Sequence, residues 1–478
     1  MGNGNSKRNQ RGKTVIRPMS KVAMDEIKKH YNIDSSSIGK GAFGKVFKAQ
    51  SLTDKSFTVA IKMLSKSNMS AKDIKELGSE VHILNQLDHP NIVKYYEVYE
   101  DKKSLYLVME YWSGSNLYEK LTDQNIKFSE TEWAKMAKQL LLALHHCHSS
   151  GVTHRDIKLE NIMVTDDNIV KLIDFGLSKN ATAAELMKSM TGTPYYMAPE
   201  VFLSDSYGSE VDLWSLGVVL FTCLGGYRPF AGKDIKEISD NILSGKYKFH
   251  PREWSSISRD AKDLVQMMLT IEPDKRITSE SALDHAWFGL ITDIKLESTI
   301  LLEGKVKSKT MKKLKNFREL TCLRRWALEL LINMLSVDEK QAYETEFNKF
   351  DTTKNGVITD KDFIAKIKES DPSMQTKEIK KISKEIDFND DDQINYSEFI
   401  TAILDVNKWL TKERLTTIYK KFLQDKHKNI YPEDLRKTIN TYGFTLTETE
   451  WEDIIREYDI SKTGYLSIDD FKTMMVHG

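Results

Sequence analysis

The sequence predicts two folded units of different class: an α+β unit over residues 31–288 and an all-α unit over residues 337–478. Two observations carry the first. Short β-rich runs at 58–63 and 104–109 surround one helical stretch (apolar Ile74, Leu77, Val81 and Leu84), and helical patterns at 133–147 and 211–224 dominate after about residue 127. One observation carries the second: a loop of oxygen-bearing residues starts at 351, 387 and 459, intervals of 36 and twice 36.

Composition limits what these units can be. The 478 residues hold 70 Lys+Arg and 70 Asp+Glu, 40% are hydrophobic and 29% charged, which is globular composition. No run approaches the roughly 18 apolar residues of a membrane span, and the polar, basic start leads us to expect no secretory signal. Cys147, Cys223 and Cys322 are odd in number and far apart, which suggests neither a disulfide framework nor a cysteine metal site. The zero net charge is segregated: residues 1–30 carry +6, residues 305–325 carry +8, and residues 338–478 carry −7. A basic connector feeding an acidic unit fits either binding between the two or a solvated linker, and charge alone does not choose between them. No basic stripe interleaved with aromatics suggests a nucleic-acid surface, and no nucleic-acid partner is expected.

In chain order, residues 1–30 read as a flexible basic tail. An N-terminal lobe of the first unit spans about 31–111 and a C-terminal lobe about 112–288. Residues 289–336 form a junction, in which 309–335 read as one basic amphipathic helix with Leu320, Leu323, Ala327, Leu330 and Met334 at gaps of three or four.

Gly39-Lys40-Gly41-Ala42-Phe43-Gly44-Lys45-Val46 follows Ile38 and fits G-x-G-x-x-G-x-V, where glycines admit backbone amides close to phosphate oxygens. Taken alone the spacing is weak evidence, since dinucleotide folds share it. Val59-Ala60-Ile61-Lys62 then ends a strand in a cation for the α/β-phosphates, and Glu80 on the next helix is placed to pair with it. His154-Arg155-Asp156-Ile157-Lys158-Leu159-Glu160-Asn161 supplies a carboxylate, Asp156, to orient and accept a hydroxyl proton, and a neutral oxygen donor, Asn161, for Mg²⁺. Asp174-Phe175-Gly176 supplies an anionic donor, Asp174, for the same ion. Ala198-Pro199-Glu200 closes the series, with Arg276 as the expected buried partner of Glu200.

In these motifs, over about 31–288, the chain closely resembles the eukaryotic protein kinases. The resemblance implies a bilobal fold with ATP in the cleft, Met109 as gatekeeper, and residues 110–112, Glu110 and Trp112 included, as the adenine hinge. Lys158 and Gly192-Thr193-Pro194-Tyr195-Tyr196 resemble the serine/threonine class. Asn116 stands where many relatives that phosphorylate basic peptides have an acidic residue, which weakens any inference of an upstream arginine preference. Arg155 suggests a phosphate acceptor role toward the activation segment, with Ser189 and then Thr191 as candidate phosphosites.

The repeated loop has its own chemistry. Asp351, Thr353, Asn355, the Val357 carbonyl and Asp362 occupy positions 1, 3, 5, 7 and 12 of a twelve-residue calcium loop with Gly356 at position 6. Asp387, Asn389, Asp391, Gln393 and Glu398 do so in the second, where Asp392 replaces the turn glycine. Asp459, Ser461, Thr463, Tyr465 and Asp470 do so in the last. The period demands a further loop starting at Leu423, which lacks the first ligand and has His427 at position 5. It is expected to pair without binding calcium, leaving three Ca²⁺ sites in four EF-hands. Glu398 is long enough for bidentate contact, so the second loop is expected to bind most tightly.

A serine/threonine kinase, a basic helix and four EF-hands together resemble the calcium-dependent protein kinases of plants and protists, over nearly the whole chain. That resemblance implies a junction that inhibits at rest and is rearranged when calcium loads the hands, with Ser/Thr proteins as substrates. Met1-Gly2-Asn3-Gly4-Asn5-Ser6 fits N-myristoylation at Gly2, and Lys7, Arg8, Arg11 and Lys13 would add electrostatic attraction to a membrane surface. The reading therefore expects a cytoplasmic monomer, with attachment to the cytoplasmic face of a membrane through that tail.

Overall fold

Alternation along residues 58–65 builds the first sheet. In the computed structural model, which describes residues 23–41, 44–52, 57–66, 84, 87–101, 103–122, 126–175, 194–204, 207–293, 306–317, 320–388, 391–423, 427–440 and 448–477, this run is the central strand of five. The strands are β1 (Tyr31–Gly41), β2 (Gly44–Ser51), β3 (Thr58–Ser65), β4 (Tyr95–Glu100) and β5 (Ser104–Glu110), antiparallel in the order β1-β2-β3-β5-β4. Val59 and Ile61 face one side with Ala49, Tyr106 and Val108, and Ile27 from helix α1 (Ala23–His30) covers them. Ala60 and Leu64 face the other side, toward the main core, and the pleat gives Lys62 the same side. The basic tail is thus shorter than the sequence suggests: residues 23–30 are helical because Ile27 closes the outer face of the sheet.

Below it, helix α2 (Glu130–Ser149) starts with a capping box between Ser129 and Glu132 and buries Leu140, Leu141 and Leu144. Helix α3 (Glu210–Gly225) crosses it with Trp214 and Phe221 fully buried, and α4 (Arg259–Met268) packs on α3. Three short strands, β6 (Ser115–Asn116), β7 (Ile162–Val164) and β8 (Val170–Leu172), hold the loops that face the first sheet.

A separate core begins at Val306 and runs from the later part of the junction into the unit after it. Where one helix was expected over residues 309–335, the described residues form two, α5 (Ser308–Asn316) and α6 (Cys322–Asn333). Phe317 leaves α5 in extended conformation, and the Thr321 hydroxyl accepts the Arg324 N–H to cap a fresh start. Leu323, Ala327 and Leu331 are fully buried on α6. The longer helices that follow are α7 (Val337–Phe350), α8 (Asp360–Ser370), α9 (Thr376–Ile386), α10 (Tyr396–Ile403), α11 (Lys412–Lys421), α12 (Pro432–Asn440), α13 (Glu448–Tyr458) and α14 (Ile468–His477). Between them β9 (Val357–Thr359) pairs with β10 (Gln393–Asn395) through Ile358 and Ile394, and Ile430 bridges Leu466. All four of these aliphatics stand at position 8 of the 36-residue repeat, so the loops pair first with second and third with fourth. Among the described residues no helix is long and apolar enough to cross a membrane.

Candidate active site

The glycine-rich segment is the turn between β1 and β2. Gly39 stands opposite Val46, Lys40 opposite Lys45 and Gly41 opposite Gly44, while Ala42 and Phe43 lie outside the described residues. Gly44 has a steric reason to be glycine: a Cβ there would sit 1.8 Å from the Met63 carbonyl oxygen. Ile38 is exposed, and Met109 is buried at the end of β5, opposite Ala60.

Lys62 is buried, with Nζ 2.9 Å from Asp174 Oδ1. Glu80, its partner in the sequence reading, lies outside the described residues. Asp156 accepts from Lys158 Nζ at 2.7 and 2.9 Å and from Asn161 Nδ2 at 2.7 Å. Asn161 Nδ2 also donates to the Asp156 carbonyl at 2.8 Å, which directs its amide nitrogen to Asp156 and leaves the oxygen as its acceptor end.

This loop is held from behind. The buried Asp212 carboxylate in the first turn of α3 accepts the backbone N–H groups of His154 and Arg155, both at 2.8 Å, and lies 2.9 Å from His148 Nε2. Burial alone would push that carboxyl up; the hydrogen bonds and the histidines beside it outweigh burial and hold it below the usual carboxylate range. The Asp156 N–H donates to His154 Nδ1, so Nε2 carries the proton that meets the Ile173 carbonyl at 3.1 Å. Arg155 and Asp174 hold left-handed backbone at φ 66° and 57°, a cost that this network offsets.

Two ion pairs brace the site. Arg276 meets both oxygens of Glu200 at 2.6 and 2.9 Å. Glu110, whose backbone belongs to the expected hinge, turns its side chain to Lys171 Nζ at 2.5 Å, and Lys171 lies 4.8 Å from the Trp112 ring. Nothing in the sequence marks this second pair, since its members are distant and no motif or spacing joins them. Gly176, Ser189 and Thr191 lie outside the described residues, as do Asn389 and Gly2.

In the loops the carboxylate at position 1 gathers backbone N–H groups. Asp351 accepts from Asn355 and Gly356 at 3.2 and 2.8 Å, Asp387 from Asp391 and Asp392 at 3.2 and 3.0 Å, and Asp459 from Thr463 and Gly464 at 3.0 and 2.6 Å. Position 6 requires positive φ, 81° at Gly356 and 83° at Gly464, and Asp392 adopts 62° there with a side chain. Glu398 is buried; burial and the nearby Asp387 and Asp391 push its carboxyl up to about 8, and burial pushes Asp351 up to about 6. Such buried, mutually repelling carboxylates among hard oxygen donors suit a divalent cation such as Ca²⁺. Asp362, one methylene shorter than Glu398, bonds to Thr352 and Thr359 of its own loop. Asp470 bonds to Ser467 at 2.6 Å. The repeat starting at Leu423 differs: His427 Nδ1 lies 2.7 and 2.8 Å from both oxygens of the fully buried Asp434, so an imidazole faces the carboxylate of position 12.

The basic junction meets the acidic unit directly. Lys309 pairs with Asp405 at 2.7 Å and Lys315 with Asp371, and Lys313 donates to the Ile403 carbonyl at 2.8 Å. Arg325 donates to the Phe388 carbonyl at 2.9 Å, over that residue's ring.

Comparison with known proteins agrees with both halves. A protein kinase domain model matches residues 32–288, and an EF-hand domain pair model matches residues 313–404. Calcium-dependent protein kinase 5 of Plasmodium falciparum is 33% identical over 467 residues, 96% of this chain and 80% of its own. Calcium-dependent protein kinase 21 of Arabidopsis thaliana is 30% identical, covering 95% and 84%, and calcium-dependent protein kinase 29 of the same plant 33%, covering 97% and 85%.

Proposed function

The chain belongs to the calcium-dependent protein kinases and is a calcium-activated serine/threonine kinase using ATP and Mg²⁺; from that premise we propose which residues carry the reaction and its control. Asp156 orients the substrate hydroxyl and takes its proton, and Lys158, 2.7 Å away, stabilises charge beside it. Lys62 holds nucleotide phosphate, and the backbone of residues 110–112 meets the adenine. Asn161 and Asp174 would hold Mg²⁺, which when bound neutralises charge on the transferring phosphoryl group. Asp212 keeps the loop of Asp156 in position through its bonds to His154 and Arg155.

Three loops, starting at Asp351, Asp387 and Asp459, take calcium, and the repeat at Leu423 serves as a pairing partner. The junction inhibits the enzyme when the hands are empty and is held by them when they are full. One observation carries this reading: α6 is sunk in the core of the EF-hand unit while the Asp156 side chain is 41% exposed, the arrangement of an unblocked cleft. Gly2 acylation with the basic tail, and monomeric action at the cytoplasmic face of a membrane, complete the proposal on the sequence pattern alone.

The test is phosphate transfer to a generic Ser/Thr peptide with and without a calcium chelator, with Trp326 fluorescence followed in parallel. Calcium-dependent transfer with a coincident change at Trp326, buried on α6, is the expected result. Calcium-dependent transfer with Trp326 unchanged would remove the junction from the mechanism.

A further inference from the structure

Both calcium loops of the first pair rest on one spot of the kinase unit. Asn355, at position 5 of the first loop, presents its carbonyl to His146 Nδ1 at 2.9 Å. Ser397, at position 11 of the second, gives Asp88 two bonds: its N–H to Oδ2 at 2.6 Å and its hydroxyl to Oδ1 at 3.0 Å. The two receivers are themselves joined, because the Asp88 N–H donates to His146 Nε2 at 3.3 Å. That bond makes Nε2 the acceptor, so Nδ1 carries the proton donated to Asn355 and the ring is neutral. The fit is close: a Cβ on Gly356 would come within 2.4 Å of His146 Nδ1. His89 stacks on the imidazole at 5.4 Å, and Lys94 pairs with Asp88 at 2.9 Å.

The spot is wired to the catalytic machinery. Three residues beyond Asp88, the Asn91 carbonyl accepts the Leu172 N–H at 2.8 Å, and Asn91 Nδ2 donates to the Val170 carbonyl at 2.7 Å. The Val93 N–H closes the clasp on the Leu172 carbonyl at 2.9 Å. Leu172 lies two residues before Asp174, which holds Lys62. In the other direction, Asp88 follows the segment that carries Glu80.

We propose that His146 and Asp88 are positioning residues through which the first two calcium loops report their occupancy to Asp174 and the nucleotide cleft. Loops ordered by calcium present the Asn355 carbonyl and the Ser397 N–H and hydroxyl at fixed separation, and only that spacing satisfies both receivers together. Neither residue touches the reacting atoms. Their effect is on the equilibrium between docked and undocked EF-hand units. This rests on the preceding reading, in which filled hands activate the kinase.

The experiment uses the full chain and two variants from opposite sides of the contact. His146→Phe keeps a ring to stack on His89 and removes both nitrogens; it lies outside the loops, so it removes no calcium ligand. Ser397→Ala removes only the hydroxyl. Each removes one hydrogen bond across the contact between the units, and should raise the calcium needed for half-maximal transfer about tenfold, the effect of about 1.4 kcal/mol. Calorimetric titration with calcium, without ATP or peptide, should show a comparable loss of affinity in the first pair, because coupling between sites is reciprocal. At saturating calcium, kcat and the KM for ATP should return to wild-type values, which a general structural defect would not permit. Should His146→Phe fail to fold, Ser397→Ala decides alone. Unmoved midpoints in variants of a calcium-dependent wild type overturn this proposal only; a wild-type chain indifferent to calcium overturns both it and the reading beneath it.

Discussion

Lys62 Nζ lies 2.9 Å from Asp174 Oδ1, so the phosphate-binding cation and a magnesium donor neutralise one another in the same corner of the cleft. One stands on β3 and the other just after β8, and their meeting closes the N-terminal sheet onto the loops below. The lysine is buried, so its alkyl stem is fixed by neighbours and little rotamer freedom remains to be lost when phosphate arrives. Four predictions follow from this and the other contacts.

Asp156→Asn should lower transfer by about 10²–10⁴-fold at every calcium concentration, the usual worth of a positioned general base. The amide retains the shape that Lys158 and Asn161 contact but cannot take a proton. Calcium binding measured by calorimetry should be unaltered. Initial rates that recover on adding calcium would contradict the assignment.

Glu398→Gln should raise the calcium midpoint about tenfold or more, since it removes one of three carboxylates and the bidentate arm of the second loop. The equivalent change at Asp470, Asp470→Asn, should move it less. A titration in which the two variants shift equally would reverse the ranking of the loops.

Arg276→Met should destabilise the kinase unit by about 3–5 kcal/mol, because it strands Glu200 without the guanidinium that meets both its oxygens. Replacing both partners by apolar residues should recover much of the loss. Thermal unfolding of the single and paired variants measures the difference.

Glu344 supplies a pH test. Burial pushes its carboxyl from 4.5 up to about 7, with Lys171 opposing. The folded chain therefore favours the protonated form. The stability this contributes is complete below pH about 4.5 and is lost as pH rises through about 7. Against Glu344→Gln, which stays neutral throughout, the wild type should lose ground between these limits by up to about 3 kcal/mol. Unfolding free energies of both chains across that window, if parallel, would show that Glu344 ionises normally.

How much of this the sequence reveals depends on the range of the interaction. Lys62, Asp156, Asn161 and Asp174 sit in short motifs whose chemistry is local, and the structure gathers them around one cleft. The interval of 36 located even the repeat at Leu423, because the position-8 aliphatics must pair whatever the ligands are. The break between α5 and α6 was hidden: one helix was expected over 309–335, whereas Phe317 turns to extended backbone and the Thr321 cap begins a second helix. The Glu110–Lys171 and Asp88–Ser397 contacts were equally hidden, since each joins residues far apart in sequence that no spacing rule relates.

The junction helices share the apolar core of the EF-hand unit as part of the same chain, with Lys309, Lys313 and Arg325 already engaged. Sensor and target therefore meet by ring closure, at an effective concentration of millimolar order that dilution cannot change. A free peptide copying residues 308–333 competes against that tether and gains little. For the monomer proposed above, enzyme dilution should leave the response to calcium untouched, so that sensitivity would be a property of each molecule and not of how many the cell makes.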